Sequence, residues 1–191
     1  MPDKLKVVFC WHMHQPCYRD WHSGQYQLPW TYLHSIKDYV DMAAHLEAVP
    51  KARAVVNFVP ILLEQIDDYA QQIQKYLRGD VISLRDPLLA ALVSNPPYTP
   101  FLENRPNNRP KAETTAVSQA KSELIGQCLR ANQPRIIQRF KPYQHLTEIT
   151  EVFKPYSQLL IYLDDQYFID LVMWYHLAWM GETVRRHHPT V

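Results

Sequence analysis

Two histidines and a glutamine follow the first apolar segment of the chain, and their side chains suit ligand binding. His12, His14 and Gln15 lie within the stretch LKVVFCWHMHQP, which runs from Leu5 to Pro16. In an extended chain alternate residues share a face, so the two imidazoles project to the same side. Neutral imidazoles and a glutamine amide can hydrogen-bond the hydroxyl groups of a ligand. Two imidazoles on one face could alternatively hold zinc together with a distant carboxylate.

The residues that precede these side chains predict a buried β-strand. Lys6–Trp11 is short and rich in β-branched and aromatic residues, a composition typical of a strand buried on both faces. Pro16 cannot donate a hydrogen bond to a neighbouring strand, so the strand ends near that residue. The carboxyl ends of buried parallel strands are where α/β proteins place their binding and catalytic groups. We therefore expect a functional site at this end of the strand.

Composition bounds the class of protein. The chain has 191 residues, of which 47% are hydrophobic and 20% charged, which is typical of one globular domain with a substantial core. A net charge of +1 with both signs mixed gives no electrostatic basis for binding nucleic acid or an anionic membrane. Neither glycine-rich phosphate-binding pattern occurs, so nucleotide binding by those routes is excluded. We expect no cofactor.

The cysteines and the first residues predict a cytoplasmic protein. Cys10, Cys17 and Cys128 are odd in number and have no C-x-x-C spacing, which favours reduced thiols over a disulfide framework. Residues 1–6 are charged and lack the apolar core of a secretion signal. The longest apolar run, 169–180, is too short to span a bilayer.

The first 85 residues predict a strand, a helix, a second strand and a second helix. A helical pattern runs from Pro29 to Pro50, and Ala54–Val59 is β-branched and stopped by a proline. A second helical pattern covers Ile61–Leu77 and is closed by Gly79. Such a βαβα order requires a parallel sheet with right-handed crossovers.

Residues 86–191 have a different pattern, with predicted helices but no clear third strand. The proline- and asparagine-rich stretch 94–110 predicts an irregular loop. The fold class is therefore α/β, as an incomplete barrel of parallel strands in which 86–191 form a mostly helical insertion. The predicted helices are Pro87–Val93, Thr114–Ala131, Pro142–Phe153 and Tyr167–Gly181.

Several segments, in this order, resemble glycoside hydrolase family 57. His12–Pro16 resembles the first signature region of that family. The resemblance implies a (β/α)7-type barrel and retaining hydrolysis or transfer on α-glucans with two carboxylates, as in amylases, pullulanases and glucanotransferases. The other similar segments are Pro29-Trp30, Leu33-His34, Lys37–Tyr39, Asn57–Pro60 and Trp174–Gly181, in which Tyr175-His176 stand where longer members more often have Phe-Asn.

The resemblance also implies which residues bind substrate. It places His14 and Gln15 beside the glucan bond that is cleaved, whereas His12 could equally be a hydrogen-bonded core histidine. Asn57 ends the second strand at the same barrel face and could bind hydroxyl groups, or it could cap the following helix. Trp30 begins a helix near the strand end and is a candidate for stacking on sugar, as are Trp11 and Trp21.

The catalytic carboxylates of the family belong to later signature regions, and we identify neither of them in this chain. We expect neither a Trp-x-x-Glu segment of the nucleophile type nor an Asp-Gly-Glu segment of the acid/base type in this chain. Asp20 and Glu64 could face a cleft, but we favour their interpretation as solvated surface acids. Lys37 and Asp38 are interpreted as structural, and a further pair, Asp164-Asp165, is predicted to cap a helix.

Three hypotheses follow. The chain is the substrate-binding part of a family 57 enzyme that acts on α-glucan. Alternatively, it is a non-catalytic glucan-binding fragment, or a subunit that another polypeptide completes. The third hypothesis is a metal-dependent hydrolase that uses His12 and His14. Because an incomplete barrel exposes strand edges, we also expect self-association or a complementing polypeptide.

Overall fold

Two short parallel strands form the sheet in a computed structural model that describes residues 5–81, 83–103 and 113–187. Strand β1 is Cys10–Met13 and strand β2 is Val55–Phe58. Cys10 lies opposite Val55, and Met13 lies opposite Phe58. The predicted parallel pairing is confirmed, although β1 begins four residues after the predicted start at Lys6.

One continuous helical segment connects the two strands. Helix α1, Trp30–His34, continues as a π-helix over Ser35–Tyr39 and then as α2, Val40–Ala48. Pro29 precedes the first helical residue, as predicted. The π-helix was not predicted from hydrophobic periodicity. This form is rare and often occurs at functional sites.

The helix after β2 begins and ends within one residue of the predicted bounds. Helix α3 is Pro60–Arg78, with a proline in its first turn, where the missing N–H has no helical partner to lose. Gly79 ends it with φ of 80°, a left-handed conformation that favours glycine. Its buried face includes Leu62 and Tyr69, together with two glutamine side chains.

Most of the described residues after Asp86 lie in helices, as predicted. One expectation is wrong: α5, Thr99–Glu103, forms inside the stretch 94–110 that was predicted to be irregular. Pro100 is the second residue of this helix, where a proline fits the helical backbone. The rest of that stretch, 104–110, lies outside the described residues. The other helices are α4 Pro87–Val93, α6 Glu113–Ala131, α7 Pro134–Ile137, α8 Lys141–Phe153, a 3₁₀ helix Lys154–Tyr162, α9 Asp165–Trp179 and α10 Glu182–His187.

The main hydrophobic core lies between these helices. Leu124 of α6 and Phe168 and Leu171 of α9 are inaccessible to solvent, and Leu33 of α1 joins them. The helix near the end of the chain contributes to this core, because Ala178 is buried there with most of its neighbours. Asp164 accepts a hydrogen bond from the backbone N–H of Gln166, so the predicted cap is also confirmed.

The first strand is not buried on both faces, which corrects the prediction. Val7, Val8 and Phe9 are 63–75% exposed, and within β1 only Met13 is buried. A parallel sheet is normally covered by helices on both faces. Among the described residues β1 pairs only with β2, so this covering is incomplete and the apolar side chains before β1 face solvent.

The last described helix is fixed to the helix that connects the strands. The Asp41 carboxylate of α2 accepts the backbone N–H groups of Glu182 and Thr183, and the Gly181 N–H donates to the carbonyl of Ile36. A Cβ atom at Gly181 would lie 2.8 Å from both Asp41 carboxylate oxygens, so this close approach requires glycine. The start of α10 therefore packs directly on the helical segment that connects β1 and β2.

His176 is buried in the core and has a partner at each ring nitrogen. Its Nε2 lies 3.2 Å from the Leu88 carbonyl, which can only accept, so Nε2–H donates. Its Nδ1 therefore accepts from the Tyr32 hydroxyl at 3.1 Å. Burial lowers the pKa of His176 to about 4. The imidazole is thus neutral in the folded chain at neutral pH.

The free energy of unfolding is expected to depend on the protonation of His176. Because the unfolded imidazole binds a proton near pH 6.5 and the folded one does not, stability should fall by about 2 kcal/mol as the pH drops from 6.5 to about 5. Asp86, whose pKa is raised by burial, gives a slope of the opposite sign. Urea denaturation of wild type and His176→Gln across this range isolates the histidine contribution. Parallel pH profiles would contradict the prediction.

No helix among residues 5–81, 83–103 and 113–187 is both long and apolar enough to cross a membrane.

Candidate functional site

His12 and Asn57 meet where the two strands end. They are directly paired in the sheet register, and His12 Nδ1 lies 2.8 Å from Asn57 Oδ1. An amide oxygen only accepts, so in this pair Nδ1–H donates and His12 Nε2 carries the free lone pair. Val59, not Asn57, is the cap residue of α3, and no side chain caps that helix. The alternative interpretation of Asn57 as a helix cap is therefore wrong.

His14 stands beside His12 on the same side of the chain, as predicted. Their ring centroids are 5.8 Å apart, and the rings are tilted by 42°. Both side chains belong to exposed residues, as does Asn57. The alternative interpretation of His12 as a core histidine is therefore wrong. The imidazole of His14 is open to a ligand in solution.

Gln15 is held at both ends of its amide by tyrosines. The Tyr18 hydroxyl donates to Gln15 Oε1 at 2.8 Å, and Gln15 Nε2 donates to the Tyr39 hydroxyl at 3.3 Å. The amide nitrogen has two hydrogens, so one N–H remains for a ligand. Burial raises the pKa of Tyr18, which keeps its hydroxyl protonated as a donor.

Gln65 of α3 holds the turn that follows Gln15, and it was missed in the sequence analysis. This side chain is only 2% exposed. Its Nε2 donates to the Pro16 carbonyl at 2.9 Å, and its Oε1 accepts the Tyr18 N–H at 2.9 Å. The available signal was a polar residue on the buried face of an amphipathic helix, but that pattern does not say what such a residue binds.

The two acids considered as cleft residues have structural partners. The Asp20 carboxylate accepts from the backbone N–H groups of His22 and Ser23 and from the Ser23 hydroxyl, and the Ser23 bonds in particular lower its pKa. Glu64 forms an ion pair with Arg19 at 3.0 Å. These contacts fit the favoured interpretation of both residues as surface acids that support the loop after β1.

Trp30 lies in another cluster of side chains and not beside His12 and His14. It packs against the core, 6.0 Å edge-on from Trp179 and 6.2 Å from the ring of His34. Trp21, in contrast, is 74% exposed, and the guanidinium of Arg19 lies over its ring. The structure thus brings His12, His14 and Asn57 together. Gln15 follows them in sequence and contacts Tyr18 and Tyr39, and Trp30 lies in a separate cluster.

The expectation that the chain has no Trp-x-x-Glu segment is wrong. Glu182 follows Trp179 in a Trp-x-x-Glu pattern. It is the first residue of α10, it is exposed, and its carboxylate is bound by Arg186. Within the described part of the chain, no three His, Cys, Asp or Glu residues are grouped so that they could hold a metal ion.

Comparison with models of protein families identifies the class of protein as glycoside hydrolase. The model that matches is glycosyl hydrolase family 57, over residues 8–185, and the chain therefore belongs to this family. The resemblance noted in the sequence is confirmed. Neither a curated protein nor a solved structure matches the chain.

Proposed function

We propose that this chain binds α-glucans through His12, His14, Gln15 and Asn57, as the substrate-binding part of a family 57 enzyme. Family membership supports the proposal, and so does the exposure of these polar side chains at the strand ends. The observation that carries it is the His12–Asn57 hydrogen bond, because it joins both strands and leaves the His12 Nε2 lone pair for a ligand.

Sugar recognition at this site uses donors and acceptors in fixed directions. Neighbouring hydroxyl groups of a glucose ring can each donate and accept, so they match the His12 acceptor and the remaining Gln15 N–H donor. A sugar bound by several oriented groups is held in one position, as catalysis requires. We propose that catalysis is retaining and uses two carboxylates about 5 Å apart, neither of which we assign to a residue of this chain.

A non-catalytic glucan-binding subunit is the second candidate. It is favoured by the contacts of Asp20 and Glu64, whose carboxylates support the loop after β1. The two candidates predict the same glucan binding and differ only in whether another polypeptide adds catalytic acids. A cytoplasmic location is part of the proposal and rests on the free thiols of Cys10, Cys17 and Cys128.

Replacing His14 by alanine is expected to weaken binding of maltohexaose by up to about tenfold, because one neutral hydrogen bond to the ligand is lost. Isothermal titration calorimetry of the 191-residue chain measures this change. The matched control is His145→Ala, because His145 is an exposed histidine on α8. Equal affinity of wild type and His14→Ala would overturn the proposal, as would no binding by wild type.

The exposed apolar segment before β1 is expected to drive self-association unless a partner covers it. Apolar surface is exposed at Val7, Val8 and Phe9 and at Phe58 of β2. Among the described residues each strand pairs along one edge only, which leaves the other edge open. Light scattering on a size-exclusion column should give a mass above that of one chain, and Val8→Lys should lower it. The matched control is Leu77→Lys on α3, another exposed apolar residue. A monodisperse wild-type monomer would contradict this expectation.

A further inference from the structure

The side chains of His34, Lys37 and Asp38 lie at and within the π-helix, and none of them belongs to the site described above. His34 Nδ1 and Lys37 Nζ bind opposite oxygens of the Asp38 carboxylate, the latter at 3.0 Å. Their side chains are 30%, 34% and 37% exposed, so each is partly buried and still open to solvent. Burial alone raises the pKa of Asp38, but the bonds from His34 and Lys37 outweigh it and lower the pKa, so the carboxylate is ionised.

Each of these groups retains hydrogen-bonding capacity. An ionised carboxylate has about four acceptor positions and an ammonium group has three donors, of which the pairs above use only some. Because His34 Nδ1 binds Asp38, its Nε2 is left for a ligand. The cluster therefore offers a carboxylate acceptor, a cationic donor and an imidazole nitrogen on one face of the helix.

Three aromatic rings lie beside His34, and one of them also lies beside Lys37. The ring of His34 lies 6.2 Å from that of Trp30, 6.2 Å from that of Tyr39 and 5.6 Å from that of Trp179. Lys37 Nζ lies 5.4 Å from the centre of the Trp179 ring. Flat apolar ring faces beside polar groups suit a sugar, which presents C–H groups on its faces and hydroxyl groups at its edges.

Tyr39 connects the cluster to the strand ends. Its hydroxyl accepts from Gln15 Nε2, and its ring is the neighbour of His34. In a π-helix residues five apart lie one above the other, which brings His34 and Tyr39 to the same side of the helix. Gln15, Tyr39 and His34 thus form a continuous series of contacts between the strand ends and the cluster.

We propose that His34, Lys37 and Asp38, with the ring of Trp30, form a second sugar subsite that binds a glucose unit further along the same α-glucan chain. The inference rests on the proposed function and extends it, because it assigns a preference for longer oligosaccharides to the π-helix. Asp38 and Lys37 hydrogen-bond neighbouring hydroxyl groups, and Trp30 packs against the face of the ring.

The test compares the affinities of maltose and maltohexaose by calorimetry. Wild type should bind the longer sugar more tightly. Lys37→Met should weaken maltohexaose binding by about tenfold, because a hydrogen bond to a charged group is lost, and should leave maltose binding within about twofold. The matched control is Lys75→Met, an exposed lysine on α3. Asp38→Asn should likewise weaken the binding of maltohexaose and leave that of maltose within about twofold. If Lys37→Met does not fold, the result for Asp38→Asn tests the inference.

Other outcomes overturn the inference. Equal losses for both sugars would mean that Lys37 only supports the site at the strand ends, and unchanged maltohexaose affinity would mean that it binds no sugar. Equal wild-type affinities for the two sugars would also exclude a second subsite. In all three cases the proposed glucan site at the strand ends still stands if His14→Ala weakens binding. A wild type that binds neither sugar would overturn both that site and the second subsite.

Discussion

Replacing Asp86 by alanine is expected to destabilise the chain by about 3 kcal/mol, a fall in Tm of roughly 6 to 12 °C for a chain of this size. Asp86 is 1% exposed and caps α4 by accepting the N–H groups of Leu88 and Leu89 at 2.9 and 3.1 Å. It also accepts the Tyr69 hydroxyl at 2.8 Å. Alanine leaves all three donors buried without an acceptor, and thermal denaturation measures the loss.

The matched variant for this prediction is Asp86→Asn. Asparagine keeps the side-chain size and one amide oxygen that can accept the backbone N–H groups of α4, so the loss should be about 1 kcal/mol. The order wild type, Asn, Ala is the expected result. Equal stability of wild type and the alanine variant would show that water or a rearranged loop satisfies these donors.

Gln65→Met is expected to lower stability by about 2 kcal/mol and to weaken maltohexaose binding by about tenfold. Methionine fills a similar volume but leaves the Pro16 carbonyl and the Tyr18 N–H without their partner. The turn is then free to move, and the Tyr18 hydroxyl no longer fixes the amide of Gln15. Chemical denaturation and calorimetry measure the two effects.

A charged substitution separates this positioning role from simple packing. In Gln65→Glu the carboxylate can still accept the Tyr18 N–H, but it cannot donate to the Pro16 carbonyl until it is protonated. Burial beside carbonyl oxygens raises the pKa of such a carboxyl, so binding relative to wild type should recover as the pH falls from about 7 to about 5. The same ratio at both pH values would contradict the positioning role.

The local signals in the sequence predict much of the fold. Pro60 lies at the start of α3 and Gly79 at its end, and both residues interrupt regular structure as predicted. The β-branched segments before His14 and Asn57 predict two parallel strands, and these form. What the pattern could not give is the environment of those strands, because the same residues are compatible with complete burial and with exposure.

The binding site was predictable in part. The spacing of His12 and His14 places both rings on one side, and the order of segments places Asn57 at the same end of the sheet. The partners of Gln15 were not predictable, because Tyr18 and Tyr39 approach it only through the turn and the π-helix. Hydrophobic periodicity does not distinguish a π-helix from an α-helix over five residues.

Titration of the chain with maltohexaose, followed through the NMR ring signals of its histidines, tests glucan binding at the strand ends most directly. The signals of His12 and His14 should shift in a saturable way, because both rings are exposed beside Gln15. Those of His145 on α8 and of the buried His176 should not shift. Unchanged His12 and His14 signals at saturating maltohexaose would contradict glucan binding at this site.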